Sequence, residues 1–245
     1  MEDKEYIFGK HPVEEFLART PKRIQKIFMK EGIEPRFGSS IKALAKKYKI
    51  SVVEVDLKKL ALLSEGEQHQ GVVALVSPTP MFDLKEWIAK IKIENNPCVV
   101  LMDELEDPHN VGAIIRSAAG FGASAILLAK HRQSPITGVV TKASAGTIDR
   151  VPLVRIGNIN DAIVKLKEKG FWILGLDGDG DQSLFEIDMK MPVCIVVGGE
   201  GKGIREKTLD NCDIKVRIPM ENKVESFNAS VSAALVLYEW RKQNK

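Results

Sequence analysis

The sequence predicts an α/β protein in two parts: a small α/β unit over residues 1–77 and a larger domain over 97–245 built on a largely parallel sheet. A linker and entry helix over 78–96 join them. Three observations carry this prediction. From Pro97 onward, short continuous apolar runs alternate with helical patterns, as strands buried on both faces of a parallel sheet do. The first 77 residues hold a shorter alternation of their own. Between the two, Ser77-Pro-Thr-Pro80 and Glu94-Asn-Asn-Pro97 interrupt the chain.

Each element has a local reason. Val13, Phe16 and Leu17 lie at helical spacing behind Pro12, so a short helix over 11–19 opens the chain. A strand over 24–29 follows. Ser39 or Ser40 is placed to cap a helix with Ile41, Leu44, Ala45 and Tyr48 on one face. Residues 51–55 read as a strand, 57–63 as a helix and 71–76 as another strand. Leu84, Trp87, Ile88 and Ile91 make the entry helix amphipathic. The larger domain then reads as strands over 98–102, 124–129, 151–154, 171–176, 193–197 and 214–218. Helices over 111–121, 137–145, 160–168, 204–209 and 225–242 separate and follow them. Sheets of this kind bind ligands at the carboxyl ends of their strands.

Composition narrows the function. Of 245 residues, 44% are hydrophobic and 28% charged, which excludes a disordered or fibrous chain. No run approaches the roughly 20 apolar residues that span a bilayer, and the opening residues lack the pattern of a signal peptide, so a cytoplasmic location is expected. Cys98, Cys194 and Cys212 have no CxxC spacing and read as buried thiols. The four histidines, His11, His69, His109 and His131, form no ligand cluster, and no metal is expected. Net charge is +3, with 14 cations against 11 anions in residues 1–77 and parity beyond. The excess concentrates in Arg19-Thr-Pro-Lys-Arg-Ile-Gln-Lys-Ile-Phe-Met-Lys30, either a strand facing phosphates or an ordinary solvated one.

Three strand-end segments hold polar residues and glycines that a packed core does not require. The first, Asp103-Glu-Leu-Glu-Asp-Pro-His-Asn-Val-Gly-Ala-Ile-Ile-Arg-Ser-Ala118, passes from a buried strand into a helix. Asn110 stands at the helix start and Arg116 further along it. The plain alternative makes Asn110 an N-cap and Arg116 a solvated cation. The second, Val196-Val-Gly-Gly-Glu-Gly-Lys-Gly-Ile204, runs from a strand through a glycine loop, where backbone can approach a ligand closely. It matches neither GxxxxGK[ST] nor GxGxxG. Glu200 within it either offsets a helix dipole or holds a cation. Gly175-Leu-Asp-Gly-Asp-Gly180 is similar in composition and is explained by a turn. The third, from Ile218-Pro-Met220 to Glu239, places Ser226 and Asn228 near a helix start followed by small residues.

In this order the segments resemble the motifs of the SpoU family of RNA ribose 2′-O-methyltransferases in the SPOUT class, whose patterns are approximately D-P-x-N-x-G-x-I-x-R-x-A, G-x-E-G-x-G, and I-P-M followed by E-S-L-N-V-S-V-A. They stand here at 107–118, 198–203, 218–220 and 225–231, with Val111, Phe227 and Ala229 as mild departures. More weakly, Phe8-Gly-Lys-His-Pro-Val13 and His69-Gln-Gly-Val-Val-Ala74 are similar to the substrate-binding domain of the bacterial enzymes that methylate a guanosine of large-subunit (23S) ribosomal RNA. The resemblance implies a C-terminal trefoil knot, S-adenosylmethionine as cofactor and a homodimer. It implies a cofactor set of Gly198, Gly199, Ile218, Met220, Phe227, Asn228 and Ala229. It further implies a catalytic set of Asn110, Arg116, Glu200, Ser226 and Asn228. Lys10, His11, His69, Gln70 and Arg116 are the expected RNA contacts, the first four with turn-shaping as the alternative.

Rival readings remain at this stage. A tRNA ribose methyltransferase would share the catalytic motifs and differ in the N-terminal unit. A non-catalytic RNA-binding factor would not need Asn110, Arg116, Glu200 and Asn228 together. A nicotinamide-dependent dehydrogenase lacks its fingerprint here.

Overall fold

Residues 5–199, 201–221 and 226–245 are described by the computed structural model, and they divide into two units. The first takes the chain up to Thr79 together with Pro135–Asp149; the second takes Pro80–Ser134 and Arg150–Lys245.

In the first unit the chain runs through β1 (Glu5–Phe8), α1 (Lys10–Arg19), β2 (Ile24–Lys30), α2 (Pro35–Lys47), β3 (Ser51–Val55), α3 (Leu57–Leu63) and β4 (Val72–Val76). The strand order is β1-β4-β2-β3, with β4 antiparallel to both neighbours and β2 parallel to β3. Phe16, Leu17, Ile27, Met29, Ile41 and Leu60 are buried side chains of its core. Two sequence expectations change here. The chain opens on a strand, because four residues too few to show a period gain their backbone partners from β4. And α2 begins at Pro35, not after Ser39 or Ser40, because proline at the first helical position arrives with its φ already set.

The second unit starts with β5 (Phe82–Asp83), α4 (Leu84–Lys90), β6 (Cys98–Asp103), α5 (Pro108–Phe121) and β7 (Ala125–Ala129). The chain then returns to the first unit for α6 (Gly138–Ala143), which packs along β1. The approach is so close that a Cβ on Gly138 would stand 2.2 Å from the Tyr6 carbonyl oxygen. Reading by chain order places 137–145 in the larger domain; packing places it in the smaller unit. Asp149 completes this excursion by accepting from Thr20 Oγ1 at 2.9 Å and pairing with Arg23, whose Nη2 donates to the Ser77 carbonyl at 2.9 Å and Thr79 Oγ1 at 3.0 Å. Both charged side chains are mostly buried. Asp149→Ala is therefore expected to cost about 3 kcal/mol by removing the ion-pair partner of a mostly buried guanidinium, measured by urea denaturation; an unchanged midpoint would contradict the pairing.

The second unit continues with β8 (Leu153–Ile156), α7 (Ile159–Lys169), β9 (Trp172–Leu176), β10 (Gln182–Ser183), β11 (Val193–Gly198), α8 (Glu206–Leu209), β12 (Ile214–Arg217) and α9 (Ala229–Gln243). Its eight strands lie in the order β10-β12-β9-β11-β6-β7-β8-β5 and every pairing is parallel, as the apolar runs predict. Val99, Leu101, Cys194 and Val196 share one core with Trp87 of α4 and Ile163 and Leu166 of α7. Alternate strand residues point the other way. There α5 and α9 pack against each other and reach β7 and β11, burying Ile114, Ile115, Val236 and Leu237. Burial raises the thiols of Cys98 and Cys194 well above their ordinary range and that of Cys212 to about 12. Their reaction with a neutral-pH disulfide reagent should accordingly wait for unfolding; fast labelling of the native protein would contradict this.

Candidate active site

The order in which strands are added reverses beside β6. From β6 the chain builds outward through β7 and β8, whereas β9, β11 and β12 lie on the other side, with β11 inserted between β9 and β6. A crevice opens outside the carboxyl ends of strands at such a switch point. Here Gly198, the last residue of β11, registers with Asp103, the last residue of β6. The glycine loop and the loop entering α5 thus leave the sheet side by side.

The glycine loop doubles back on itself. Gly203 N–H donates to the Gly199 carbonyl at 3.0 Å, and a Cβ on Gly198 would meet the Gly203 carbonyl carbon at 2.1 Å. Gly203 itself holds a left-handed φ of 63°, which a side chain would strain. Beyond the loop lies a cavity of about 480 Å³ at the ends of β9, β11 and β12. It brings together Gly198, Gly199, Ile218, Met220, Ser226, Phe227, Asn228 and Ala229, residues from two motifs about 20 positions apart. Leu176, Asp177, Gly178, Leu209 and Ser232 are also among its walls. The sequence offered only a turn for Asp177 and Gly178. That turn is present, with Asp177 Oδ1 accepting from Asp179 N–H at 3.2 Å, and the signal for a second role was its place directly after a buried strand. Glu200 and Glu225 lie outside the described residues.

Asn228 is the N-cap of α9. Its Oδ1 accepts from Ser230 N–H at 2.9 Å and Val231 N–H at 3.4 Å, which fixes the cavity wall at the helix start. The final helix therefore begins at Ala229 in the described structure. The cap of α5 is Asp107, whose Oδ1 accepts from His109 N–H at 2.9 Å, with Pro108 as the first helical residue. Asn110 is thus no N-cap: it stands within the first turn and is buried. Arg116 is exposed on α5 and has no hydrogen bond or ion pair among the described residues. Neither residue lines the cavity; their helix packs beside α9, whose start does.

In the first unit, the Lys10 backbone N–H donates to Gln70 Oε1 at 2.9 Å, and Lys10 Nζ pairs with Glu34 at 2.6 Å. His69 Nδ1 accepts from Gly71 N–H at 3.0 Å. Partial burial, aided by Lys142, holds the His69 pKa below the usual 6.5, consistent with a neutral acceptor. His11 is almost fully exposed at the start of α1. Gln70 and His69 therefore do shape turns, and Lys10 and His11 stand beside them. Arg23 of the basic segment is turned inward to Asp149, whereas Lys22, Gln25 and Lys30 remain exposed.

Comparison with known proteins matches two successive stretches of the chain to two families. Residues 97–238 match the SpoU rRNA Methylase family, and residues 6–82 match the RNA 2′-O ribose methyltransferase substrate-binding family. A 23S rRNA (guanosine-2′-O-)-methyltransferase of Pseudomonas putida is 34% identical over 249 residues, covering 100% of this chain and 99% of the relative. A Bacillus subtilis protein, provisionally named as a TrmH family tRNA/rRNA methyltransferase, is 37% identical over 98% of this chain and 96% of its own. The crystal structure of the SpoU methyltransferase AviRb from Streptomyces viridochromogenes, in complex with AdoMet, has the same fold. It matches with a TM-score of 0.80 at 22% identity over 98% of this chain and 90% of that one.

Proposed function

The chain belongs to the SpoU rRNA methylase family, and on that premise we propose that it transfers a methyl group from S-adenosylmethionine to a ribose 2′-hydroxyl, that of a guanosine in large-subunit (23S) ribosomal RNA. The observation that carries this is the strand-end cavity in which the glycine loop and the Ile218–Ala229 motif meet. Its volume lies within the roughly 300–1,000 Å³ of small-molecule sites. Its walls suit an adenosyl group: apolar Leu176, Leu209, Ile218 and Met220, an exposed aromatic Phe227, and backbone brought near by Gly198 and Gly199. Full-length similarity to the Pseudomonas enzyme supports the ribosomal substrate.

When bound, S-adenosylmethionine supplies an electrophilic methyl group on sulfur. The protein's part is to hold a ribose hydroxyl in line and to ease loss of its proton. Arg116 carries a cation with five donors; it stabilises the developing alkoxide and grips a neighbouring phosphate. A guanidinium holds its proton too tightly to serve as a base, so electrostatic stabilisation is its role. Asn110 orients the nucleotide, Asn228 and Ser226 border the methyl donor, and Glu200 orients Arg116. Lys10, His11, His69 and Gln70 contribute to RNA capture in the first unit. Ribosomal RNA as substrate places this work in the cytoplasm.

A homodimer is part of the proposal. Val231, Leu235 and Tyr238 form an exposed apolar stripe at i, i+4 and i+7 on α9, with Tyr238 edge-on to Phe121. Light scattering should give twice the chain mass. The family's trefoil knot belongs with the passage of the C-terminal chain from β11 on one side of β9 to β12 on the other.

The deciding experiment incubates the protein with labelled S-adenosylmethionine and separate pools of unmodified ribosomal RNA and tRNA, then maps the label by mass spectrometry. 2′-O-methylguanosine in 23S RNA is expected. Label confined to tRNA would overturn the substrate and keep the chemistry; transfer to neither would overturn both.

A further inference from the structure

The two loops that leave the sheet at Asp103 and Gly198 are bridged by one side chain that no motif includes. Arg205 follows the glycine loop as the N-cap of α8. Its Nε donates to Asp103 Oδ1 at 2.9 Å, its Nη2 lies 2.8 Å from the same oxygen, and its backbone N–H donates to Oδ2 at 3.1 Å. Its Nη1 lies 2.8 Å from Glu104 Oε1. The Asp103 side chain is wholly buried. A buried carboxyl group needs donors for both oxygens, and among the described residues Asp103 receives them from Arg205 alone.

The far side of the same loop is also fastened. Arg132 Nη1 lies 3.3 Å from Glu104 Oε1, Leu105 N–H donates to Gln133 Oε1 at 3.3 Å, and Ser134 N–H donates to the Leu105 carbonyl at 2.8 Å. Glu104 takes a left-handed φ of 59°, and its carbonyl backs onto Gly199, where a Cβ would come within 2.6 Å. The loop leading to α5 is thus pressed against the glycine loop by contacts on both sides. A guanidinium is a planar, rigid fork, so spanning two carboxylates transmits position in a way a lysine cannot.

We propose that Arg205 is a positioning residue for methyl transfer: by closing on Asp103 and Glu104 it holds the loop leading to Asn110 and Arg116 in register with the glycine loop of the cofactor cavity. It touches neither substrate nor cofactor in this role. The inference rests on the methyltransferase reading. A displacement of about 1 Å between reacting groups is enough to cost about 10²-fold in rate, so loosening this bridge should appear in the chemical step.

The test compares the full-length wild type with Arg205→Gln, Arg205→Lys, Asn110→Ala and the Asn110→Ala/Arg205→Gln double variant. Cofactor-binding stoichiometry, single-turnover methyl transfer and amide hydrogen exchange are each measured. For Arg205→Gln, full stoichiometry with a transfer rate lowered tenfold or more is expected, partly restored in Arg205→Lys. The double variant should be no slower than Asn110→Ala, since both changes disable the same loop. Exchange should accelerate over 104–111 and stay slow over 98–102. A wild-type rate in Arg205→Gln overturns the proposal, as do multiplying effects in the double variant. So does a fall in rate matched by an equal fall in binding stoichiometry, the mark of plain misfolding. If the wild type transfers methyl to no RNA, the functional reading has failed, and exchange judges the bridge alone: unchanged exchange over 104–111 overturns it, whereas acceleration confined there supports it.

Discussion

Arg116→Ala is expected to lower the rate of methyl transfer by roughly 10²–10³-fold, the usual consequence of removing one donor aimed at developing negative charge. Folding and cofactor binding should be retained, because Arg116 is exposed on α5 and does not line the cavity. Ribose hydroxyls are weak acids, so the barrier rises most where the alkoxide is least stabilised. Arg116→Lys should recover part of the loss as a point charge without the fork. Single-turnover kinetics with labelled cofactor, paired with calorimetric cofactor titration, separates the two effects. Near-normal turnover in Arg116→Ala would remove this residue from the chemistry.

Gly198→Ala should act on the other half of the reaction. The added methyl would lie 2.1 Å from the Gly203 carbonyl carbon and 2.2 Å from Ile204 N, both backbone atoms that cannot rotate away. The glycine loop must move, breaking its Gly199–Gly203 bridge. Overpacking of this kind costs about 1–3 kcal/mol in stability, and a displacement of the cavity wall of the same cost should weaken cofactor binding by about 5- to 10²-fold, using 1.4 kcal/mol per tenfold. Gly120→Ala is the control. On the exposed side of α5, where an added Cβ meets nothing within 4 Å, it should be neutral or stabilising by up to about 1 kcal/mol. Wild-type cofactor affinity in Gly198→Ala would show that the loop does not frame the donor.

Much of the site was legible because its parts are local. Buried strands announce themselves as unbroken apolar runs, and their carboxyl ends fall where glycine and polar residues follow. That logic reaches Gly198, Ile218 and the Ser226–Ala229 segment, and the structure gathers them around one cavity. Asn110 was assigned the wrong local place in the plain reading: Asp107 and Pro108 start α5, and the asparagine is carried into the buried first turn. The walls from Leu176, Asp177 and Leu209 were not legible, since nothing in a turn or a short helix tells which neighbouring strand lies beside it.

The sequence by itself determined the alternation of strands and helices and the parallel character of the large sheet, because each depends on spacing within a few neighbouring positions, while the site residues followed from the resemblance of three motifs to the SpoU family. Tertiary structure alone decided the rest. It returned 135–149 to the first unit, where Gly138 meets β1 and Asp149 meets Arg23. It also set Arg205 on Asp103 across 102 residues of chain. Such partners are chosen by burial and charge compensation between segments far apart in sequence, and no local pattern encodes them.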